Sequence, residues 1–418
     1  MLSVSQRVQS LKPSVTIAFM NRAKAMQRAG KDVLSFAAGE PDFDTPQPIK
    51  DAAIKALLAG QTKYMPTLGD PDTRAAIAKK LTEENGLPGC TLEHITIGAG
   101  GKHSLFVAVH CLIDDAHATG RPQQEVVLPV PAWVSYAPIV ELAGGKVVEV
   151  PTTVESGFKA TAAQIKAAIT PRTRLVILNS PSNPCGTMYT PDELRAIAAV
   201  VDEAARTIAP DITILSDELY EKIVYGGIPH FSIGSVPEVA ERTITLNGLS
   251  KAYGMTGWRI GYTGASGAFG LRFTQAMAVF QGQMSTNITS FTYPAIRTAL
   301  TQCAGEVEVM RQAFAARAEV MNSRLNRIPG MQCAKATGAF YAFPKVSGSF
   351  GKVTPGGRRI DSAMSFCEAL LEESLVAFVP GEDFGGCGKE HVRISFACGE
   401  DQINRGVDRL EKFLSTLR

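Results

Sequence analysis

The sequence lacks a charge of one sign: 42 Lys+Arg stand against 40 Asp+Glu, a net charge of +2. Without a basic field, sequence-independent binding to DNA or to an acidic membrane surface is excluded. It also lacks any uninterrupted apolar stretch of about 18 residues, the length a membrane-spanning helix needs. Residues 1–12 mix polar and basic side chains with no apolar h-region, and the run 15–20 is too short to supply one. No targeting segment is expected. There is no C-x-x-C among the eight cysteines (Cys90, Cys111, Cys185, Cys303, Cys333, Cys367, Cys387 and Cys398). That scatter fits reduced thiols in a cytoplasm better than a disulfide framework. Repeats and low-complexity tracts are absent too. What remains is 418 residues, 45% hydrophobic and 20% charged, ordinary for a globular protein and too apolar for a disordered one. The length implies two or three domains, burying enough surface that no disulfide or structural metal is required. We expect a soluble, cytoplasmic, two-domain chain of enzyme size.

Apolar runs of strand length alternate with helix-like stretches through the middle of the sequence. The runs are 94–98, 125–130, 174–179, 212–216 and 243–247. Between them lie helix candidates at 101–113 and 190–209. The second opens on Thr190-Pro191-Asp192-Glu193, an N-cap followed by proline and early acids. Such alternation predicts an α/β domain with a mostly parallel sheet, helices on both faces, over residues 47–290. After Phe291 the texture changes. Helical stretches at 307–326, 361–374 and 401–417 surround short strand candidates at 339–343, 376–379 and 391–396. Residues 291–418 therefore read as a smaller α+β domain, with 1–46 as an N-terminal arm and part of it. The Gly-rich stretch 347–357 reads as a surface loop.

In an open α/β sheet, ligands bind beyond the carboxyl ends of the strands, so each run is informative where it stops. The first leads into Gly98-Ala-Gly-Gly101-Lys102-His-Ser104 and a helix, where backbone N–H groups suit an anion. The pattern is neither G-x-G-x-x-G nor a P-loop, since His103 and Thr96 occupy required glycine positions. A purely structural turn is the ordinary alternative. The second run leads to Trp133, one of two tryptophans, either a stacking ring or a core aromatic. The third leads to Asn183, flanked by Pro181 and Pro184, an aimed amide or a plain turn. The fourth delivers Asp217, Glu218 and Tyr220; a carboxylate there is costly to bury unless paired. The fifth delivers Ser250 and Lys251, with Arg259 eight residues on: a desolvated amine nucleophile, or a solvated surface lysine. An anion loop, a flat ring, an amide, a carboxylate with a phenol, and an amine together match the needs of pyridoxal 5′-phosphate.

At this point a family resemblance is plain. Gly248-Leu-Ser-Lys251-Ala-Tyr-Gly-Met-Thr-Gly-Trp-Arg259-Ile-Gly261, with Asn179-Ser-Pro-Ser-Asn183-Pro-Cys-Gly186 and Ser216-Asp217-Glu-Leu-Tyr220, resembles the class I aminotransferases. The likeness covers nearly the whole chain and is closest to the bacterial-type aspartate aminotransferase branch, which includes prephenate aminotransferases. It implies PLP-dependent fold type I and a homodimer with shared active sites. By the same resemblance, Lys251 would be the lysine that joins the cofactor and Asp217 the partner of its ring N–H⁺. Tyr220 and Asn183 would bond its phenolic oxygen, and Trp133 would stack on its ring. Arg259, Gly101, Lys102 and Ser250 would hold its phosphate, with Tyr64 supplied by the other subunit. Arg393 and the N–H of Gly39 would take the substrate α-carboxylate; Trp133 and Asn183 would also face the substrate. Lys12 stands where prephenate-accepting enzymes carry a lysine, or it is a solvated arm residue. Cys185 and Gly254 depart from the usual threonine and alanine at positions without catalytic roles; Cys185 is either a reactive thiol or a packing one.

The implied activity is ping-pong transfer of the amino group of L-aspartate to 2-oxoglutarate, with Lys251 as general base and acid. Prephenate, an aromatic or another 2-oxo acid, or β-elimination, remain alternatives within the same chemistry. A non-catalytic sensor built on this fold would need a DNA-binding domain, and no residues are left for one. No metal is expected. His103, His110 and His117 recur every seven residues, which on a helix separates them by about 10 Å each, too far for shared ligation.

Overall fold

The computed structural model describes residues 4–9, 11 and 15–418; Lys12 lies outside the described residues. Seven strands form the main sheet: β1 (Ile95–Gly98), β2 (Glu125–Val130), β3 (Lys146–Pro151), β4 (Thr173–Asn179), β5 (Thr213–Asp217), β6 (Thr243–Gly248) and β7 (Gly261–Ala265). Their order is β1-β7-β6-β5-β4-β2-β3; β7 is antiparallel to both neighbours and every other pairing is parallel. Five of these strands are the apolar runs. The other two have physical reasons for escaping notice. β7 reads Gly-Tyr-Thr-Gly-Ala, with two glycines and no aliphatic run, and β3 is an edge strand with only Val150 fully buried.

The runs are continuously apolar because both faces of the sheet are covered. Val126, Leu128, Leu175 and Ile177 pack on one side with Leu105, Val109 and Leu112 of the helix Gly101–Leu112. The intervening Val127, Val176 and Leu178 pack on the other side with Leu194, Ile197 and Val201 of the helix Pro191–Thr207. That second helix starts as its sequence dictates. Thr190 Oγ1 accepts from the Glu193 N–H (3.3 Å), Glu193 Oε2 accepts from the Thr190 N–H (2.7 Å), and Pro191 occupies the first turn.

A second core joins both ends of the chain. Phe19 and Ala23 from the helix Val15–Arg28, with Leu34 and Phe36, pack against residues from the helices Ala304–Arg327, Ala363–Ser374 and Glu400–Ser415. Leu34–Ser35 pairs in parallel with Val376–Ala377. Val379–Pro380, Val392–Ser395 and Tyr341–Ala342 form a three-stranded antiparallel sheet. The run 376–379 thus serves two sheets, with Phe378 between them. The helix Tyr293–Gln302 buries Ile296 and Ala299 in the core shared with helices Gln47–Leu58 and Pro71–Glu83. The core that includes Tyr293 and Ile296 also takes in Cys303 and Val307, whereas Met310 and Phe314 of the next helix belong to the second core. The stretch 347–357 is mostly exposed and is tied at Val353, whose backbone exchanges hydrogen bonds with Arg418 (2.8 and 3.1 Å). No helix among the described residues is long and apolar enough to cross a membrane.

Candidate active site

Strand register gathers the expected residues. Asn179 pairs with Asp217, and Gly261 pairs with both Gly98 and Gly248, so the segments after β1, β4, β5 and β6 leave one edge side by side. The reversal into β7 brings Arg259 back over the start of the helix at Gly101. Glycine is required there: Gly100 has φ +94°, and a Cβ on it would overlap the Arg259 guanidinium. A cavity of about 250 Å³ opens at this edge. Among the described residues, every expected site residue except Tyr64 lines it. Tyr64 is 89% exposed and does not line this cavity.

At one end, Asp217 is buried and accepts from Tyr136 Oη (2.6 Å, Oδ2) and from the Leu219 N–H (3.2 Å, Oδ1). Burial pushes its carboxyl up to about 6, against the pull of those two donors. No Lys, Arg or His forms an ion pair with it among the described residues. At another end lies a cationic pole. The helix Gly101–Leu112 starts on Gly100 with no side-chain cap; Arg259 donates to the Thr256 carbonyl (2.8 Å), and Lys102 Nζ sits 4.9 Å from the centre of the Trp133 ring. Burial and the neighbouring Arg259 both lower the pKa of Lys102. Among the described residues neither cation has a carboxylate partner, so this pole suits a phosphate.

Between these ends, Lys251 is half-buried and donates to the Gly39 carbonyl. Burial first, and Arg393 second, lower its amine to about 8, so a useful fraction is neutral near neutral pH. Arg393 is buried, donates to Asn183 Oδ1 (3.1 Å) and to the Ala37 carbonyl (2.9 Å), and faces the Tyr341 ring at 5.0 Å. Among the described residues its Nε has no partner and no carboxylate pairs with it. A buried guanidinium left that way is poised for an anionic ligand. Tyr220 and Tyr341 hydroxyls lie 2.9 Å apart. Ser250 is buried at the cavity wall. Cys185 is buried, and burial raises its thiol well above the usual range, which makes it a packing thiol.

Sequence reasoning assigns no role to several cavity residues, Tyr136, Tyr341 and Met20 among them. Tyr136 lies three residues beyond Trp133, in a segment whose only visible signal is two aromatics. Tyr341 lies in the strand candidate 339–343 and Met20 in the short apolar run 15–20, neither of which carries a site signal. Gly186 is a further requirement: at φ +69° its Cβ would overlap the Tyr341 carbonyl oxygen. The described members of the histidine series have other partners. His110 Nδ1 donates to the Phe106 carbonyl (2.8 Å), His103 lies 3.2 Å from both the Ala99 N–H and Ser285 Oγ, and the His117 side chain lies outside the described residues.

The residues fit pyridoxal phosphate on their own terms: an unpaired buried carboxylate, an uncapped helix start beside two unpaired cations, and a depressed lysine between them. Comparison with known proteins points the same way. Residues 31–410 match the family model for aminotransferase class I and II. The aspartate aminotransferase of Geobacillus stearothermophilus is 42% identical over 99% of both chains. The aspartate/prephenate aminotransferase of Cereibacter sphaeroides is 41% identical over 100% of both. The crystal structure of the aspartate aminotransferase from Rhizobium meliloti superposes with a TM-score of 0.91 at 39% identity, covering 100% of each chain. The chain belongs to the class I and II aminotransferases and has fold type I of the pyridoxal-phosphate-dependent enzymes.

Proposed function

We propose that the protein is an aspartate aminotransferase that binds pyridoxal 5′-phosphate and moves the amino group of L-aspartate to 2-oxoglutarate. The observation that carries this is the convergence of Lys251, Asp217 and the unpaired Arg393 on one cavity. When bound, the cofactor supplies an electrophilic carbonyl carbon and a conjugated ring that delocalises the electron pair left at the substrate Cα. Arg393 and the Gly39 N–H bind the substrate α-carboxylate and orient the Cα–H bond. Lys251 Nζ, neutral often enough because of its depressed pKa, would take the Cα proton and deliver it to the cofactor's C4′ carbon. Asp217, ionised above about pH 6, holds the proton on the ring nitrogen. Asn183, whose Oδ1 is committed to Arg393, has its amide N–H groups left for the phenolic oxygen, beside Tyr220. Gly101, Lys102, Ser250 and Arg259 hold the phosphate, and Trp133 covers the ring.

A homodimer completes the site in this reading, with Tyr64 of each chain serving the other. Its support is the exposure of Tyr64 together with Leu57, Leu58 and Val279. Eight free cysteines support a cytoplasmic setting. A second reading, prephenate as amino acceptor, is favoured by the Cereibacter relative. Adding L-aspartate alone to the cofactor-loaded protein tests the proposal. The visible absorption band should bleach with release of oxaloacetate, and Lys251→Ala should do neither while keeping the circular dichroism of its parent. A band that responds only to glutamate or aromatic amino acids refutes the donor; a protein that takes up no pyridoxal phosphate refutes the whole reading.

A further inference from the structure

Behind the cavity lies a buried polar network that the reaction does not touch. Along the turn after β5, side chains divide: Asp217 and Tyr220 line the cavity, whereas Glu218 and Glu221 turn away from it into the protein. Asn85, just beyond the helix Pro71–Glu83, meets both acids. Its Nδ2 donates to Glu218 Oε2 (2.8 Å) and to Glu221 Oε2 (2.7 Å), and its Oδ1 accepts from Lys80 Nζ (2.7 Å). Lys80 also pairs with Glu221, while Ser216 and Ser232 hydroxyls each donate to Glu218 Oε1 at 2.7 Å. An amide has two N–H donors, so each hydrogen goes to a different carboxylate and no donor is left over. The reversed amide would set its oxygen against two carboxylates and its nitrogen against an ammonium, which fixes the orientation. Glu218, Glu221 and His230 place ligand atoms within 4.8 Å of one another, but Lys80 and Asn85 already answer the acids there, so the cluster needs no metal.

We infer that Asn85 is a positioning residue: by tying Glu218 to Glu221 it fixes the turn that presents Asp217 and Tyr220 to the cofactor ring. The inference rests on the proposed cofactor. The Glu218 N–H also donates to the Leu246 carbonyl (2.9 Å), and Ser216 and Ser232 hold Glu218, but among the described residues Asn85 is the side chain that hydrogen-bonds both acids. The Glu221 N–H donates to the Glu218 carbonyl (2.9 Å) and the Leu219 N–H to Asp217 Oδ1 (3.2 Å), so a shift of the two acids moves the backbone that carries the Asp217 carboxylate's own donor. Neither Asn85 nor Lys80 reaches the cavity, so any effect on the cofactor passes through the turn.

The test is Asn85→Leu, similar in size and without a donor, read by titrating the apoenzyme with pyridoxal phosphate and by the pH dependence of the visible band. We expect the dissociation constant to rise about tenfold, the band's midpoint to move, and kcat to fall more than KM changes. Asn85→Ser, which keeps one donor, should lie between variant and parent, and it carries the comparison if Asn85→Leu does not fold. A variant that melts earlier but keeps the parent's dissociation constant and band midpoint overturns the inference, since the network would then be structural only. A parent protein that binds no pyridoxal phosphate overturns the proposed function itself, a different result from an unmoved variant.

Discussion

Replacing Tyr136 by phenylalanine deletes one hydroxyl and leaves a buried carboxylate with one donor fewer. Tyr136 Oη lies 2.6 Å from Asp217 Oδ2. Burial raises its pKa well above that of an ordinary phenol, so it is always a donor. A hydrogen bond to a charged acceptor is worth ~1.5–3 kcal/mol, and about 1.4 kcal/mol corresponds to one pH unit of proton affinity. Loss of the phenol therefore moves the Asp217 titration up by about one to two pH units, from about 6 to beyond neutrality. In the proposed function the ionised carboxylate holds the cofactor's ring N–H, so pyridoxal phosphate affinity should fall as pH drops through this titration. The acid limb of affinity against pH, measured by fluorescence titration of the apoenzyme, should start near pH 6 in the parent and about one to two pH units higher in Tyr136→Phe. Stability gives an independent sign check. A carboxyl raised in the folded state penalises folding above its folded pKa, and the penalty vanishes below its unfolded value. The melting temperature of the apo variant should thus trail the parent more at pH 8 than at pH 5. An acid limb that stays in place refutes the assignment of the hydroxyl to Asp217.

Arg393→Ala removes a buried cation that awaits an anion, and truncating such a partner costs about 2–5 kcal/mol. Steady-state kinetics should show kcat/KM for aspartate reduced about 30-fold to several thousand-fold, mostly through KM. Gly100→Ala forces a Cβ at φ +94° into the Arg259 guanidinium. Equilibrium dialysis should show weaker pyridoxal phosphate binding by about tenfold, with the aspartate KM unchanged once the cofactor is saturating.

The site was legible wherever a strand ends in a residue of distinct chemistry. Gly101, Asn183, Asp217 and Lys251 each lie within about four residues of an apolar run, and the parallel topology brings such ends to one edge. Arg393 had no such marker; family likeness alone singled it out among 42 basic residues. Tyr136 and Tyr341 were hidden because a buried tyrosine in an aromatic-rich segment reads as core until its hydroxyl partner is seen. Lys80 and Asn85 were hidden for the opposite reason. In Lys79-Lys80-Leu-Thr-Glu-Glu-Asn85 they look like a solvated helix end, and their acids lie more than 130 residues away.

The pairing of Leu34–Ser35 with Val376–Ala377 bears on how the protein is made. Leu34 and Phe36 leave the ribosome well before the residues that cover them, which lie about 340 positions further on. At about 5–20 residues per second, the gap between Leu34 and Val376 lasts about 20–70 s. During that interval the main sheet can assemble, since its strands run from Ile95 to Ala265, while the N-terminal apolar residues wait uncovered. The nascent chain thus passes through a period in which one body is folded and the other exists only as an unmatched half. Chaperone capture and aggregation of this protein should concentrate in that window, and truncations after the main sheet should retain the exposed segment permanently.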